Sequence, residues 1–258
     1  MNFWPAAVLK FIPVFFIASV VAAINLYPGG NIHNYEQIGY VLSHNFLSDL
    51  GRFNSFTGEP NFLSMFLFNQ AMFAFLIVGI AFLFIPNLYK DNKLTYALAW
   101  LGSLSFLFGT IFFAFVGLTP YDLFFEPHVF FAVNAFRLII PGILLYVIVL
   151  IRSKSENIFV IALSFLLAAT VGYVIFQLFH NDPRQSYDAM VLQASIQKLI
   201  ALTNVVCIFI FSFAFESIIR SKVIVLSVRS KIMSCSGNVL ASFTRVKKLD
   251  FVPFSKSS

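Results

Sequence analysis

The amino-acid sequence predicts an all-α polytopic membrane protein: a six-transmembrane-helix bundle with a short interfacial helix in its first outer loop. Three observations carry that reading. Of 258 residues, 59% are hydrophobic and only 11% are charged, against about 25% charged in soluble domains. The mean hydropathy is +0.87. The apolar residues, with Phe foremost among the aromatics, fall into six runs, each long enough to cross a hydrocarbon core of about 30 Å.

Span one runs from about Trp4 to Leu26. Lys10 near its start can snorkel to the interface, beside the belt residue Trp4. Val21-Ala22-Ala23 resembles a signal-peptidase site. The run is long enough to span, however, and a single positive charge makes a poor signal-peptide start, so span one is read as retained. Pro28-Gly29-Gly30 then signals a turn. Over Tyr35–Leu50 the pattern predicts a short helix lying on the mouth of the bundle. At about 100° per residue, His44, Asn45, Ser48 and Asp49 share one stripe, beside an apolar one of Leu42, Phe46 and Leu50. Gly51 stands where a left-handed residue would end that helix.

Span two covers about Asn61–Ile85 and stops at Pro86-Asn87. A tight Lys90-Asp91-Asn92-Lys93 turn leads to span three, about Leu94–Val116. There Gly102 and Gly109, with Ser103, Ser105 and Thr110, supply small residues for close helix approach. A short acidic loop through Asp122 and Glu126 precedes span four, about His128–Ile151, which holds Arg137 and a Pro141-Gly142 break. Span five runs about Ile158–Phe179 and span six about Met190–Ile219. Together the spans make one membrane domain over residues 1–220. Residues 221–258 form a basic cytoplasmic tail, helical near Lys222–Met233 and disordered in part beyond Ser234.

Charge sets the expected orientation. The loops after spans two and four, and the tail, carry nearly all the loop Lys and Arg. The other loops carry Glu36, Asp49, Glu59, Asp122, Glu126, Asp182 and Asp188 against Arg52 and Arg184. The positive-inside rule then puts both termini in the cytoplasm of an integral plasma-membrane protein. It also collects His33, His44, His128 and His180 on the outer face. The net charge of +6 is concentrated beyond Glu216, where it suits an anionic leaflet. No nucleic-acid reader motif accompanies it, so nucleic acid is not an expected partner. Cys207 in a span and Cys235 in the tail exclude a disulfide framework.

Ser48-Asp49-Leu50-Gly51, Asn61-Phe62-Leu63-Ser64 with Phe68-Asn69, and Gly117-Leu118-Thr119-Pro120 ahead of His128 form a set of short motifs. They resemble those of family 998 of the domains of unknown function, a family of six-span membrane proteins. That family is similar to the eukaryotic Frag/DRAM group, which has a similar Ser-Asp motif after span one and a His opening span four. The resemblance covers about Trp4–Ile219 and leaves out the tail. It implies six retained spans. The family has no established activity, and the Frag/DRAM group suggests lipid or glycolipid handling by analogy alone.

Three groups of residues bear on function. His44 and Ser48, four residues apart, have the spacing of a base and a nucleophile, with Asp49 as orienter. The same residues serve equally to cap helices and tie the loop to the bundle mouth, and no Gly-x-Ser-x-Gly elbow accompanies Ser48. His44, Asp49, His128 and His180 are ligand types that zinc accepts. They come from different segments without His-x-x-x-His or His-Glu-x-x-His spacing, so no cofactor is the first expectation and zinc the alternative. Arg137, nine residues past His128, lies about 13 Å down span four. A charge near the midplane costs about 2.5–3.5 kcal/mol, so Arg137 is expected to face protein or water. There it either bridges Asn69, Gln177 or Asn204 or holds an anionic headgroup drawn into the bundle. Lys198 is expected to snorkel at the outer end of span six, and Glu216 to pair with Arg220 one turn on.

The function these residues support is binding of a membrane lipid or small amphiphile. Its route is a polar outer mouth of His44, Asn45, Ser48, Asp49, Asp122 and His128, with Arg137 below. The alternative is a membrane-embedded lipid-remodelling hydrolase using the outer His/Ser/Asp cluster, with or without zinc. A Phe-lined cavity leading to Arg137 favours the binder, and three converging His/Asp groups favour the enzyme.

Overall fold

A chain in lipid must satisfy its own peptide groups, and a helix does so within one segment. The computed structural model describes residues 4–247, with side chains as far as Ser221. Among the described residues it has six long helices: α1 (Trp4–Leu26), α2 (Phe62–Phe82), α3 (Lys93–Leu118), α4 (Phe125–Arg152), α5 (Asn157–Phe179) and α6 (Tyr187–Lys247). Each is long and apolar enough to cross a membrane; the shortest, at 21 residues, reaches about 32 Å. Large apolar side chains such as Phe11, Leu101, Ile161 and Phe165 are exposed on its surface, as lipid as the surrounding solvent requires. The chain is an integral membrane protein.

The chain divides into two compact units, Met1–Glu216 and Ser217–Ser258. The first is the bundle. The second contributes helical backbone as far as Lys247, so the helix runs farther than the Lys222–Met233 stretch predicted from sequence. Residues 248–258, the end of the segment predicted to be disordered, lie outside the described residues.

Successive helices pack as neighbours, α1 on α2, α2 on α3, α3 on α4 and α4 on α5. The small residues of span three act where expected. A Cβ on Gly109 would come 2.3 Å from Ile139 Cγ2, and one on Gly102 would come 2.9 Å from the Tyr146 ring. A missing side chain is what lets α3 and α4 approach. Tyr146 is fully buried and donates to Ser103 Oγ at 2.7 Å, while Ser103 donates to the Phe82 carbonyl at 2.6 Å. Pro141 does not break α4, which is continuous from Phe125 to Arg152. Ser105 on α3 donates to the Leu138 carbonyl in the turn that the proline disturbs. At the far end Lys10 pairs with Glu216 at 2.6 Å and lies over the Phe213 ring. Glu216 therefore has a partner on α1, where the sequence suggested Arg220.

The first loop departs most from the sequence reading, since no helix spans Tyr35–Leu50. Gly29–Asn31 (β1) and Asn34–Ile38 (β2) form an antiparallel hairpin, and the helical piece shrinks to a 3-10 turn at Leu47–Gly51. Local turn chemistry explains this. Gly30 has φ 80°, and a Cβ there would sit 2.4 Å from Phe56 Cβ. Asn31 Oδ1 accepts the N–H groups of His33 and Asn34 at 2.8 and 2.9 Å, which closes the hairpin turn. The hairpin then reaches across the bundle, with His33 Nε2 donating to the Pro183 carbonyl at 2.8 Å. The first, third and fifth connections thus meet at one end, the loop end.

Candidate functional site: a Phe-lined cavity beneath a tethered loop

Asn45 is the hub of the loop. Its side chain is fully buried, and one amide makes four hydrogen bonds. Oδ1 accepts from Gln37 Nε2 at 2.7 Å and the Val41 N–H at 3.0 Å. Nδ2 donates to the Gly30 carbonyl at 2.7 Å and to Asp49 Oδ2 at 3.1 Å. Asp49 Oδ2 also accepts the Phe46 N–H at 2.8 Å, which caps the 3-10 turn. Burial pushes the Asp49 carboxyl up to about 6, against the hydrogen bonds from Asn45 and Phe46 and the charges of Arg52 and Lys198.

Groups from other elements clamp this loop. Lys198 on α6 donates to the Asn45 carbonyl and, at 2.7 Å, to the Ala194 carbonyl. Gln197 Oε1 accepts the Leu47 N–H at 2.7 Å. Asp122 accepts the N–H groups of Phe53 and Asn54, both at 2.9 Å. Within the loop itself the Arg52 guanidinium lies 3.8 Å from the centre of the Phe56 ring. Lys198 is therefore a clamp rather than a free snorkelling charge, and Asp122 holds backbone.

The stripe expected on one helix is dispersed because no helix forms there. His44 turns to α6, with Nε2 on the Tyr187 hydroxyl and Nδ1 on Ser43 Oγ at 2.8 Å. Neither nitrogen is left for Ser48. Asn45 and Asp49 lie inside the loop, and Ser48 lines a cavity below it. The four groups weighed as zinc ligands also separate. His128 Nδ1 donates to the Thr119 carbonyl at 2.7 Å, His180 stacks on Phe176 at 4.3 Å, and His44 and Asp49 are engaged as above. Among the described residues no group of three His, Cys, Asp or Glu could hold a metal ion.

The cavity occupies about 110 Å³ between the helices. Its walls are mainly apolar, with Phe16, Phe68, Phe75, Phe82, Phe113 and Phe136 among them. Ser48, His128 and Gln197 line it from the loop end. Of the deeper polar groups, Thr110 donates to the Leu107 carbonyl and Asn204 Nδ2 to the Ile200 carbonyl, both at 2.9 Å. His128 donates through Nδ1, so its Nε2 is an acceptor.

Arg137 does not line this cavity. It is exposed on the outer face of α4, with Nη1 3.4 Å from Asn134 Oδ1. The inward face of α4 consists of Ala135, Phe136, Ile139, Gly142 and Ile143, and helical geometry turns residue 137 away from it. The side chain leans toward the N-terminal, loop-end side, which lets it climb toward the interface instead of burying its charge in protein. Sequence reasoning missed Gln197 as a wall residue. Its signal was a Gln-Lys pair inside an apolar span, since polar groups at such depth need a partner.

Comparison with protein-family models, with curated proteins and with solved structures finds no match.

Proposed function

We propose that this protein binds the apolar part of a membrane lipid or small amphiphile in the cavity beneath the first loop. The ligand's polar end lies against Ser48, His128 and Gln197. One observation carries the reading: the cavity is walled mainly by apolar side chains, and Ser48, His128 and Gln197 gather at its loop end. An empty apolar cavity of about 150 Å³ stays dry and admits a benzene-sized guest. The space here, about 110 Å³, therefore takes the end of a slim chain or one small ring. Met72, an unbranched and adaptable side chain, lines it and can yield to a larger guest. We place the loop end outside the plasma membrane and both termini in the cytoplasm, from the distribution of Lys and Arg. Kinship with family 998 is part of the same proposal and rests on the motifs around Ser48, Asn61 and His128.

The test uses the detergent-purified full chain, stripped of lipid, and a photoreactive alkyl-chain probe. Ala201 lines the cavity, so Ala201→Phe should fill it. The expected result is crosslinking to cavity-lining peptides, reduced at least about fivefold by Ala201→Phe, with thermal stability kept or raised because a void is filled. Equal crosslinking in both proteins, or crosslinking only at lipid-facing residues such as Phe165, overturns the proposal.

A further inference from the structure

A second cavity, of about 230 Å³, lies at the loop end among α4, α5, the α5–α6 connection and α6. Its walls are polar where those of the first are not, and include Gln177, His180, Asn181, Gln193 and Gln197. Two buried atoms on those walls have no hydrogen-bond partner, Gln177 Oε1 and His180 Nε2. A buried polar atom left unpaired costs about 1–3 kcal/mol; the Gln177 oxygen calls for a donor, and the His180 nitrogen for a donor or an acceptor according to its tautomer, and a hydroxyl can be either.

The wall also limits the charge of what supplies that donor. Among the described residues no Lys or Arg lines this cavity. The neighbouring Arg184 is spent on Asp182, with Nη2 2.8 Å from Oδ2. A phosphate or carboxylate would be buried there without a counter-ion. An ammonium group would find Asp182 already neutralised. An uncharged group bearing O–H donors meets both orphaned atoms and pays neither penalty.

The two cavities share a wall. Gln197 lines both, Phe46 lines the polar one, and Leu47 and Ser48 line the apolar one. We infer that the ligand is an amphiphile with an uncharged, hydroxyl-bearing headgroup. Its chain enters the Phe-lined cavity, its headgroup hydroxyls donate to Gln177 Oε1 and pair with His180 Nε2, and the two parts join across Gln197. This rests on the reading that the apolar cavity takes a chain.

Three probes of one chain length separate the possibilities: monodecanoylglycerol with two hydroxyls, methyl decanoate with no donor, and the decanoate anion. Native mass spectrometry of the delipidated full chain gives their relative affinities. Monodecanoylglycerol should bind about tenfold more tightly than the methyl ester, as about one net hydrogen bond's worth of binding predicts. His180→Phe keeps a ring on Phe176 and removes the nitrogen. Gln177→Leu removes the other acceptor. Each should bring that ratio toward one while leaving ester binding unchanged and the melting temperature of the empty protein unchanged or raised. Equal binding of glyceride and ester by the unmodified protein overturns the inference, as does tighter binding of decanoate, whether or not the variants fold. If the ester binds and Ala201→Phe abolishes its binding, the apolar-cavity reading survives that failure. If none of the three binds, both readings fall.

Discussion

Asp49 should make this protein less stable as pH rises from about 4 to about 7. Its carboxyl is 2% exposed, and burial lifts its pKa from 3.8 to about 6 despite the hydrogen bonds and cations around it. The folded chain therefore holds the proton more tightly than the unfolded chain does. That contribution is fully present below pH 3.8 and is lost as pH rises through about 6, where the folded carboxyl must ionise in its buried site. The gap is worth about 3 kcal/mol at 1.36 kcal/mol per pH unit. Asp49→Asn keeps an acceptor for the Phe46 N–H and Asn45 Nδ2 but cannot titrate. The variant should lack this pH dependence, match the unmodified protein near pH 4, and exceed it by up to about 3 kcal/mol near pH 8. Asp49→Ala leaves two donors unpaired and should be about 1–3 kcal/mol less stable than Asp49→Asn at every pH. Thermal unfolding in detergent can be followed at each pH by the loss of helical circular dichroism. If the unmodified protein shows no such fall between pH 4 and 8, or if Asp49→Asn shows the same fall, the burial argument is wrong.

Gly109→Leu drives a side chain into Ile139, so it should cost at least about 1–3 kcal/mol and broaden the size-exclusion peak. Gly172→Leu, where a Cβ meets nothing within 4 Å, is the control and should behave as the unmodified protein. Arg137→Leu should leave the melting temperature unchanged or raise it, since a lipid-facing charge at that depth costs about 2.5–3.5 kcal/mol. It should also leave alkyl-probe crosslinking intact; lost crosslinking would restore Arg137 as a ligand group. For orientation, Glu59→Cys is exposed and suitable for labelling, whereas Ser55 is 3% exposed and is not. In a background lacking Cys207 and Cys235, impermeant maleimide should reach Glu59→Cys in intact cells and not Ser257→Cys. The reverse pattern inverts the topology.

The spans were legible because lipid asks for length and apolarity, which any window of sequence displays. The α3–α4 contact was legible for a related reason: glycines in a span have few uses besides close approach. The first loop misled because His44, Asn45, Ser48 and Asp49 happen to recur at a helical period. Gly29, Gly30 and Asn31 commit the preceding backbone to a hairpin that brings the Gly30 carbonyl to Asn45. Once that hydrogen bond forms, Asn45 also ties down Gln37, Val41 and Asp49, and a helix over the same residues would have to surrender the bonds to Gly30, Gln37 and Val41. Short-range turn chemistry thus outweighs a longer periodic pattern whose polar face has nothing to pack on.

The facing of Arg137 was illegible for the opposite reason. α4 is apolar on nearly every side, so periodicity carries little information about which side is inward. The burial cost alone points to protein or water as the surroundings of the charge. What decides the matter is where the small residues lie: Ala135 and Gly142 mark the face that α3 can approach, and 137 falls on the other. The candidate site has a further obstacle of this kind. The Gln197–Leu47 and Lys198–Asn45 bonds each join residues about 150 positions apart, and no spacing rule spans that distance. A cavity is harder still, being the volume that Phe68, Phe113, Phe136 and their neighbours leave between helices whose relative heights the loop clamps decide. Ser48 lines the cavity, and its neighbours there are His128 and Gln197 rather than His44.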